Sequence, residues 1–499
     1  MELQFQKSVH PCLQWVKHEI QDQEQTQELR LEDGMPDIGR VLGAWGQALV
    51  RGKEWRSGSM QASCGVMAWV LYVPEDGSGV QCVQTWIPFQ LKWDIPDTER
   101  DGTMEVGCLL KNIDARSTSA RKLMVRANLG VMGGAMIPGE LSCYTPDELP
   151  EDVQILKNTY LLRLPREAGE KPFQIDEELV LPGSVPQMEK LLRFQLQPEL
   201  IDKKVMGSKV VFRGTSLLHV LYLGTDSNLY TWDHDLPFSQ YAELDRDYDQ
   251  DAAARVTLAV TSLELDPMEN GRLNLKAGLT GQYVIDDTTA VEAVEDAYSP
   301  RRAVTIRTEA QQVPVILDES SQTIHAEQSV QWDGGRIVDV SFCPDHARIV
   351  RNEFGMEAEL PGQFQMLCYD AEGNLQTLMP RWEGSWSLSA GENARIYGNT
   401  TPSGRPQAGS LGGNAQLNAD VLLQTLTTAQ QGVPVVTGLE LGEMIEPDPN
   451  RPSLILRKVG NDKLWDVAKR TGSTVDAIRE ANHLTDDSAE QKILLIPIS

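Results

Sequence analysis

The sequence predicts a mainly β chain: three tandem antiparallel β-modules, sandwich-like, followed by a small βααβ domain. Three observations lead there. A unit made of Leu217 to Leu223, a turn from Gly224 to Asn228, and Leu229 to Phe238 sets apolar runs on either side of Gly, Asp, Ser and Asn, the pattern of a buried β-hairpin. The unit recurs as Val66 to Val73, a turn at Glu75 to Gly79 and a run ending Ile87-Pro88-Phe89, and again as Phe364 to Tyr369, a turn at Asp370 to Asn374, and Leu375 to Leu378. Its tyrosines, Tyr72, Tyr222 and Tyr369, stand 150 and 147 residues apart, a domain-sized period. Helical periodicity is confined to short stretches before residue 454 and becomes regular only after it.

Taken in order, the first two thirds match at an offset of 150. Glu2 to Lys7 faces Asp152 to Lys157, Pro36 faces Pro186, and the Pro-Phe pairs Pro88-Phe89 and Pro237-Phe238 close the two hairpins. Beyond them Leu123, Val125, Ala127 and Leu129 face Leu273, Leu275, Ala277 and Leu279, alternation that marks strands with one face in a core. In the third copy Trp332-Asp333-Gly334-Gly335 stands in place of the Pro36 and Pro186 region, Trp382-Glu383-Gly384 stands near the missing Pro-Phe pair, and Ala415, Leu417, Ala419 and Val421 supply the late strand. The expected modules are therefore 1–149, 150–302 and a divergent 303–438. Asp286 to Asp296 and Asn418 to Ala429 are the helix candidates within them. Thr401 to Gly413, rich in Gly and Pro, reads as a mobile surface loop, and the polar, proline-rich 439–452 as a semi-rigid linker to a domain at 453–499.

Composition narrows the function classes. The formal net charge of −27 excludes a chain built to neutralise nucleic-acid phosphates and disfavours docking on anionic lipid. Apolar runs are strand-sized, and Met1 to Lys17 alternates polar with apolar residues instead of forming the continuous core of a signal peptide, so cytosolic synthesis is expected. The seven cysteines, at 12, 64, 82, 108, 143, 343 and 368, are odd in number and widely spaced. They read as reduced core residues, not as a disulfide framework or zinc ribbon.

Candidate chemistry is thin. Cys343-Pro344-Asp345-His346 has a metal-like spacing but supplies two of the four ligands a zinc site needs. Asp247 to Asp251 imitates the opening of a calcium loop, yet Ala252 stands where glycine is required and Leu258 where glutamate is. His219, inside an apolar hairpin, reads as a satisfied core or edge histidine. There is no nucleophile motif and no phosphate-binding glycine loop, and nothing singles out two of the 72 acidic residues as a glycosidase pair. No cofactor or metal is expected. Tyr72, Tyr222 and Tyr369 read as core residues.

From Leu454 the pattern changes. Leu454 to Val459 reads as a strand and Gly460-Asn461 as a turn. Asp462 reads as the cap of a helix with Leu464, Val467 and Ala468 inward and Gly472 at its end. Ser473 or Thr474 caps a second helix with Val475, Ile478 and Ala481 inward, and Lys492 to Pro497 forms a closing strand. Trp465 suits both a small core and an aromatic anchor for a partner.

The run Val459 to Ala468 with its Leu464-Trp465, then Gly472, Ala477-Ile478, Ala481-Asn482 and Leu495-Ile496-Pro497, resembles a LysM domain, with Lys463 and Glu490 departing from the usual pattern near the sugar-binding loops. Three such β-modules before one LysM resemble the SPOCS-repeat proteins of spore-forming bacteria, most closely the SipL-type spore-coat morphogenetic proteins. That resemblance implies a non-enzymatic coat-assembly scaffold made in the mother-cell cytoplasm and held at the forespore surface and spore coat. Its partners would be a coat basement-layer ATPase of SpoIVA type and other coat proteins, bound through Gly460, Asn461, Asp462, Leu464, Trp465, Asn482, Ile496 and Pro497. The alternative is a wall or cortex protein that uses LysM to hold peptidoglycan glycan. A wall hydrolase finds no shared acid, base or metal set among the repeats.

Overall fold

The computed structural model describes residues 2–96, 101–332, 334–353, 355–389, 391, 393–446, 452–458, 462–484 and 493–498. The protein is mainly β, with antiparallel pairing throughout the described sheets. Strands β1 (Phe5–Arg30), β2 (Ile38–Arg56), β3 (Ser59–Pro74), β4 (Gln81–Asp94), β5 (Thr103–Ser119) and β6 (Lys122–Pro146) form a first lobe in which sheet β1-β6-β5 packs on sheet β2-β3-β4. In the second, β7 (Gln154–Val180), β8 (Met188–Gly224), β9 (Leu229–Tyr248), β10 (Ala253–Pro267) and β11 (Arg272–Tyr298) give sheets β7-β11-β10 and β8-β9. The third contains β12 (Arg302–Gln331), β13 (Ile337–Pro344), β14 (Arg348–Asn352), β15 (Gly355–Tyr369), β16 (Leu375–Leu378), β17 (Arg381–Leu388), β18 (Arg395–Leu411) and β19 (Asn414–Met444). Sheet β12-β19-β18 there packs on a sheet centred on β15.

The alternating strands behave as their pattern dictates. Leu123, Val125, Ala127 and Leu129 are fully buried in the first lobe, and Leu273, Leu275, Ala277 and Leu279 in the second. The three hairpins form, with Tyr72 paired to Gln81, Leu223 to Leu229, and Tyr369 to Leu375. Tyr72 and Tyr222 sit fully buried in their lobe cores, each donating its hydroxyl proton to the proline carbonyl 36 residues earlier, Pro36 at 3.1 Å and Pro186 at 3.0 Å. Phe89 and Phe238 are buried as well, whereas Pro88 lies exposed between its neighbours.

The strands β1/β6, β7/β11 and β12/β19 are longer than any one lobe needs, 25 to 31 residues each. Each arm carries a register break at a corresponding place: Trp15/Lys17, Pro165/Glu167 and Ile316/Asp318. An extra residue bends a strand and adds twist. On one side of the breaks the arms lie in their own lobes. On the other they pack together into a common stalk built from Cys12, Leu141, Leu164, Val291, Val315 and Val433, with Leu3, Val153 and Leu439 in a neighbouring cluster. The lobes meet again through Leu42 and Leu71, Leu192 and Leu221, and Val338 and Leu367. Contacts between lobes run cyclically, β10 against β2, β5 against β13, and β18 against β8.

Several sequence expectations need correction. Tyr369 is not the counterpart of Tyr72 and Tyr222. Cys368 points into the third core, and Tyr369 lies half-buried against the cluster where the lobes meet. A one-residue slip in a strand exchanges its faces. Trp332 comes in from the other side, its indole N–H donating to the Tyr369 carbonyl at 3.2 Å. Gly335, at φ +117°, fits beneath that carbonyl because it has no Cβ, which would lie 2.3 Å from the oxygen. Asp286 to Asp296 and Asn418 to Ala429 are strand, held by β7 and β12, because pairing overrides the helical propensity of their alanines and, in the second, leucines. Thr401 to Leu411 is not a loop but belongs to β18. As an edge strand β18 tolerates Pro402 and Pro406, and its register breaks between Ser403 and Gln407. Finally, β19 runs on to Met444 with Leu439 and Leu441 buried, so the expected linker at 439–452 starts too early; residues 447–451 lie outside the described ones.

After this body come β20 (Leu454–Lys458), α1 (Leu464–Thr471), α2 (Val475–Asn482) and β21 (Ile493–Pro497), with β20 and β21 paired antiparallel. Leu464, Val467, Ala468, Ile478, Leu494 and Ile496 form the core of this module. Gly472 ends α1 at φ +66°, and Thr474 caps α2 by accepting from the Ala477 N–H at 3.1 Å. Asp462 is not the cap of α1. Lys463 holds that place, and the Asp462 carboxylate pairs with Arg470 at 2.9 Å.

Candidate functional site

Two places concentrate unusual chemistry. The first is a half-open cavity of about 460 Å³ among the three lobes, lined by β2 and β5, by β8, β9 and β10, and by β13 and β18. Gly43, Arg193 and Asp339 each follow a residue of the cluster where the lobes meet, Leu42, Leu192 and Val338, and Asp339 lines the cavity. Arg193 is completely buried, its guanidinium paired with Asp339, bonded to Gln195 Oε1 at 2.8 Å and set 5.3 Å from the Trp45 ring. From Asp339 the pairing continues to His219 Nε2 at 3.1 Å, and from His219 Nδ1 to Asp233 at 2.7 Å. Arg405 then reaches both Asp233 and Asp235. The ladder draws on lobe two (Arg193, His219, Asp233, Asp235) and lobe three (Asp339, Arg405), and the pairs made by Asp339 and by Arg405 tie the two together.

Electrostatics fix the protonation states. Burial alone would lower the His219 pKa, but the Asp339 and Asp233 carboxylates override it and raise it to about 9. Burial pushes the Asp339 carboxyl up, and Arg193 with His219 more than offsets this, holding it far below the ordinary carboxylate range. At neutral pH His219 is therefore protonated, its Nδ1 donating to Asp233 and its Nε2 side ion-paired with Asp339. A pH prediction follows. Because the folded pKa is raised, the His219 contribution is fully present below about 6.5, the unfolded value, and is lost as the pH rises through about 9. Denaturant unfolding measured from pH 6 to 10 should lose up to about 3 kcal/mol, and His219→Gln should remove that part of the slope; an unchanged slope in the variant would refute the assignment.

Other sequence candidates lie close by. Cys343 lines the cavity with its thiol pushed up to about 11 by burial, and His346 is buried, its pKa lowered chiefly by burial. Among the described residues no group of three or more His, Cys, Asp or Glu is arranged to hold a metal ion. All seven cysteines are free thiols; Cys12, Cys64, Cys143 and Cys368 are buried and the others partly so. No described helix is long and apolar enough to cross a membrane.

The second place is the contact between the carboxy-terminal module and the end of β11. The Trp465 ring packs edge-on against Tyr298, centroids 4.8 Å apart, and its indole N–H donates to Asp296 Oδ2 at 2.8 Å. Lys469 Nζ holds both oxygens of Asp296 at 2.7 and 2.8 Å. Tyr298, buried and with its pKa raised to about 12 by burial, donates to the Ser473 carbonyl at 3.0 Å.

The residues expected to bind a partner are thus divided. Leu464 and Ile496 are fully buried core, a correction that follows from the small size of the module. Asn482 is spent inside it, donating to Ile478 and Leu495 carbonyls and accepting from the Leu495 N–H. Trp465 faces the body, Asp462 pairs with Arg470, and Pro497 lies half-buried in β21. Gly460 and Asn461 lie outside the described residues. Sequence reasoning missed Arg193 and Asp339. Their signal was a single charge inside an apolar run, Leu191-Leu192-Arg193-Phe194 and Ile337-Val338-Asp339-Val340, each of which demands a buried partner.

A sequence model of the family described as "SipL, SPOCS domain" matches residues 187–268, the stretch that contains β8, β9 and β10. No curated protein matches, and neither does any solved structure. The match supports a sporulation-related protein of SipL type over that segment.

Proposed function

We propose that the body is three SPOCS-like modules and that the chain is a non-enzymatic scaffold for spore-coat assembly. In this reading it acts in the mother-cell cytoplasm, at the forespore surface and in the coat. Its carboxy-terminal module, of LysM type, recruits it by binding a coat basement-layer ATPase of SpoIVA type. The observation that carries the reading is the SPOCS match on β8 to β10. The flanking lobes support its extension, since sheets β1-β6-β5 and β12-β19-β18 repeat the connection of β7-β11-β10, with the last strand of each lobe in the middle. Several modules on one chain raise effective concentration on a growing lattice, so weak single contacts suffice.

The test is localisation. A fluorescent fusion of the full chain should form a shell on the forespore, and a chain ending at residue 446 should spread through the mother cell. Equal localisation of the two would sink recruitment through the carboxy-terminal module. Saturable binding of the full chain to purified cortex glycan, competed by glycan fragments, would instead support a peptidoglycan-binding role.

A further inference from the structure

With Trp465 turned onto the body, the carboxy-terminal module presents a different surface outward. In the β20–β21 pair, Leu494 and Ile496 face the helices and are buried. Alternation sends the other side chains away from them. The cross-strand pairs on that outer face are Leu454 with Pro497, Leu456 with Leu495, and Lys458 with Ile493. Leu454, Leu456 and Ile493 are 48%, 70% and 67% exposed. Single exposed apolar residues are ordinary, but adjoining ones on a sheet face two strands wide mark a contact surface.

Charge says what kind of contact. Residues 453–499 contain seven Lys or Arg and seven Asp or Glu, so the chain's excess of −27 lies entirely in residues 1–452. Lys458, on the outer face beside Ile493, has no ion pair among the described residues, although the protein is rich in carboxylates. An extended anionic bilayer would meet the acidic body along with the module and be repelled. A local protein surface meets only the module.

We propose that the outer face of the β20–β21 sheet, and not the Trp465 side, is where this module docks on its partner. The partner surface it fits is an apolar ridge bordered by carboxylates. The assignment rests on the recruitment reading above.

The test uses the full chain and three probes: purified basement-layer ATPase of SpoIVA type, vesicles of phosphatidylcholine with phosphatidylglycerol, and the chain itself in sedimentation. Leu456→Asp combined with Ile493→Asp should weaken binding to the ATPase at least about tenfold. Both positions are two-thirds exposed, so the thermal transition should hold. Lys458→Glu, which leaves the apolar face intact, should weaken binding severalfold and reduce its salt dependence. If the wild type binds the ATPase and the double variant binds it equally, the face is wrong while recruitment stands. Binding of the wild type only to vesicles, or only to itself, overturns the partner chemistry. If it binds none of the three, recruitment and face fall together.

Discussion

Asp339→Ala is expected to destabilise the body by about 3–5 kcal/mol, since removing one member of a buried ion pair leaves the other charge uncompensated. Arg193, with no exposed surface, would keep among the described residues Gln195 and the Trp45 ring, and His219 would lose one of its two carboxylates. The apolar replacement is the informative control. Arg193→Met with Asp339→Leu removes both charges, and a buried pair exchanged for packed apolar side chains is commonly neutral or better. Urea unfolding of wild type, single and double variants distinguishes the cases. Recovery of most of the loss in the double variant is the expected result. A single variant within 1 kcal/mol of wild type would show that the pair does not hold lobes two and three together.

The next largest effect is expected at the contact between body and module. Trp465→Glu removes the ring from Tyr298 and places a carboxylate beside Asp296. The aromatic pair and the charge-assisted hydrogen bonds together amount to about 2–4 kcal/mol. Released from the body, the segments around Asp296 to Tyr298 and Leu464 to Ser473 should exchange amide hydrogens faster, while the inner strands of the lobes keep their protection. Exchange measured by mass spectrometry on the intact chain checks this, and unchanged protection at Tyr298 would mean that the module is not held there. Asp296→Ala should show the same pattern more weakly.

Much of the fold was legible because alternation is a local signal. Leu123 to Leu129 and Leu273 to Leu279 announce one buried face wherever the covering sheet comes from. The stalk was not legible, since Cys12, Leu164 and Val433 look like any strand residues and only the assembled arms show that they meet. Tyr369 misled because its neighbour Cys368 is small and the aromatic looked like the natural core residue. Trp332, which is buried in the third core and whose indole N–H reaches the Tyr369 carbonyl, lies 37 residues away. The charge ladder joins residues 146 apart, so each half appears in the sequence only as an oddity without its answer. In the carboxy-terminal module the helices and their inward residues were plain, but not the docking onto Asp296 and Tyr298. Asp296 closes a run read as helical, and Tyr298 lies two residues beyond it.

The common stalk has a consequence for how the chain is made. Cys12, Leu141 and Cys143 leave the ribosome with the first lobe, yet the residues that cover them include Val433 and Val435. At about 5–20 residues per second, translation takes about 15–60 s to travel from one to the other. Throughout that interval the earliest lobe carries an unfinished apolar half. Nascent chains truncated before residue 433 are therefore the species in which chaperone capture or premature aggregation should be sought.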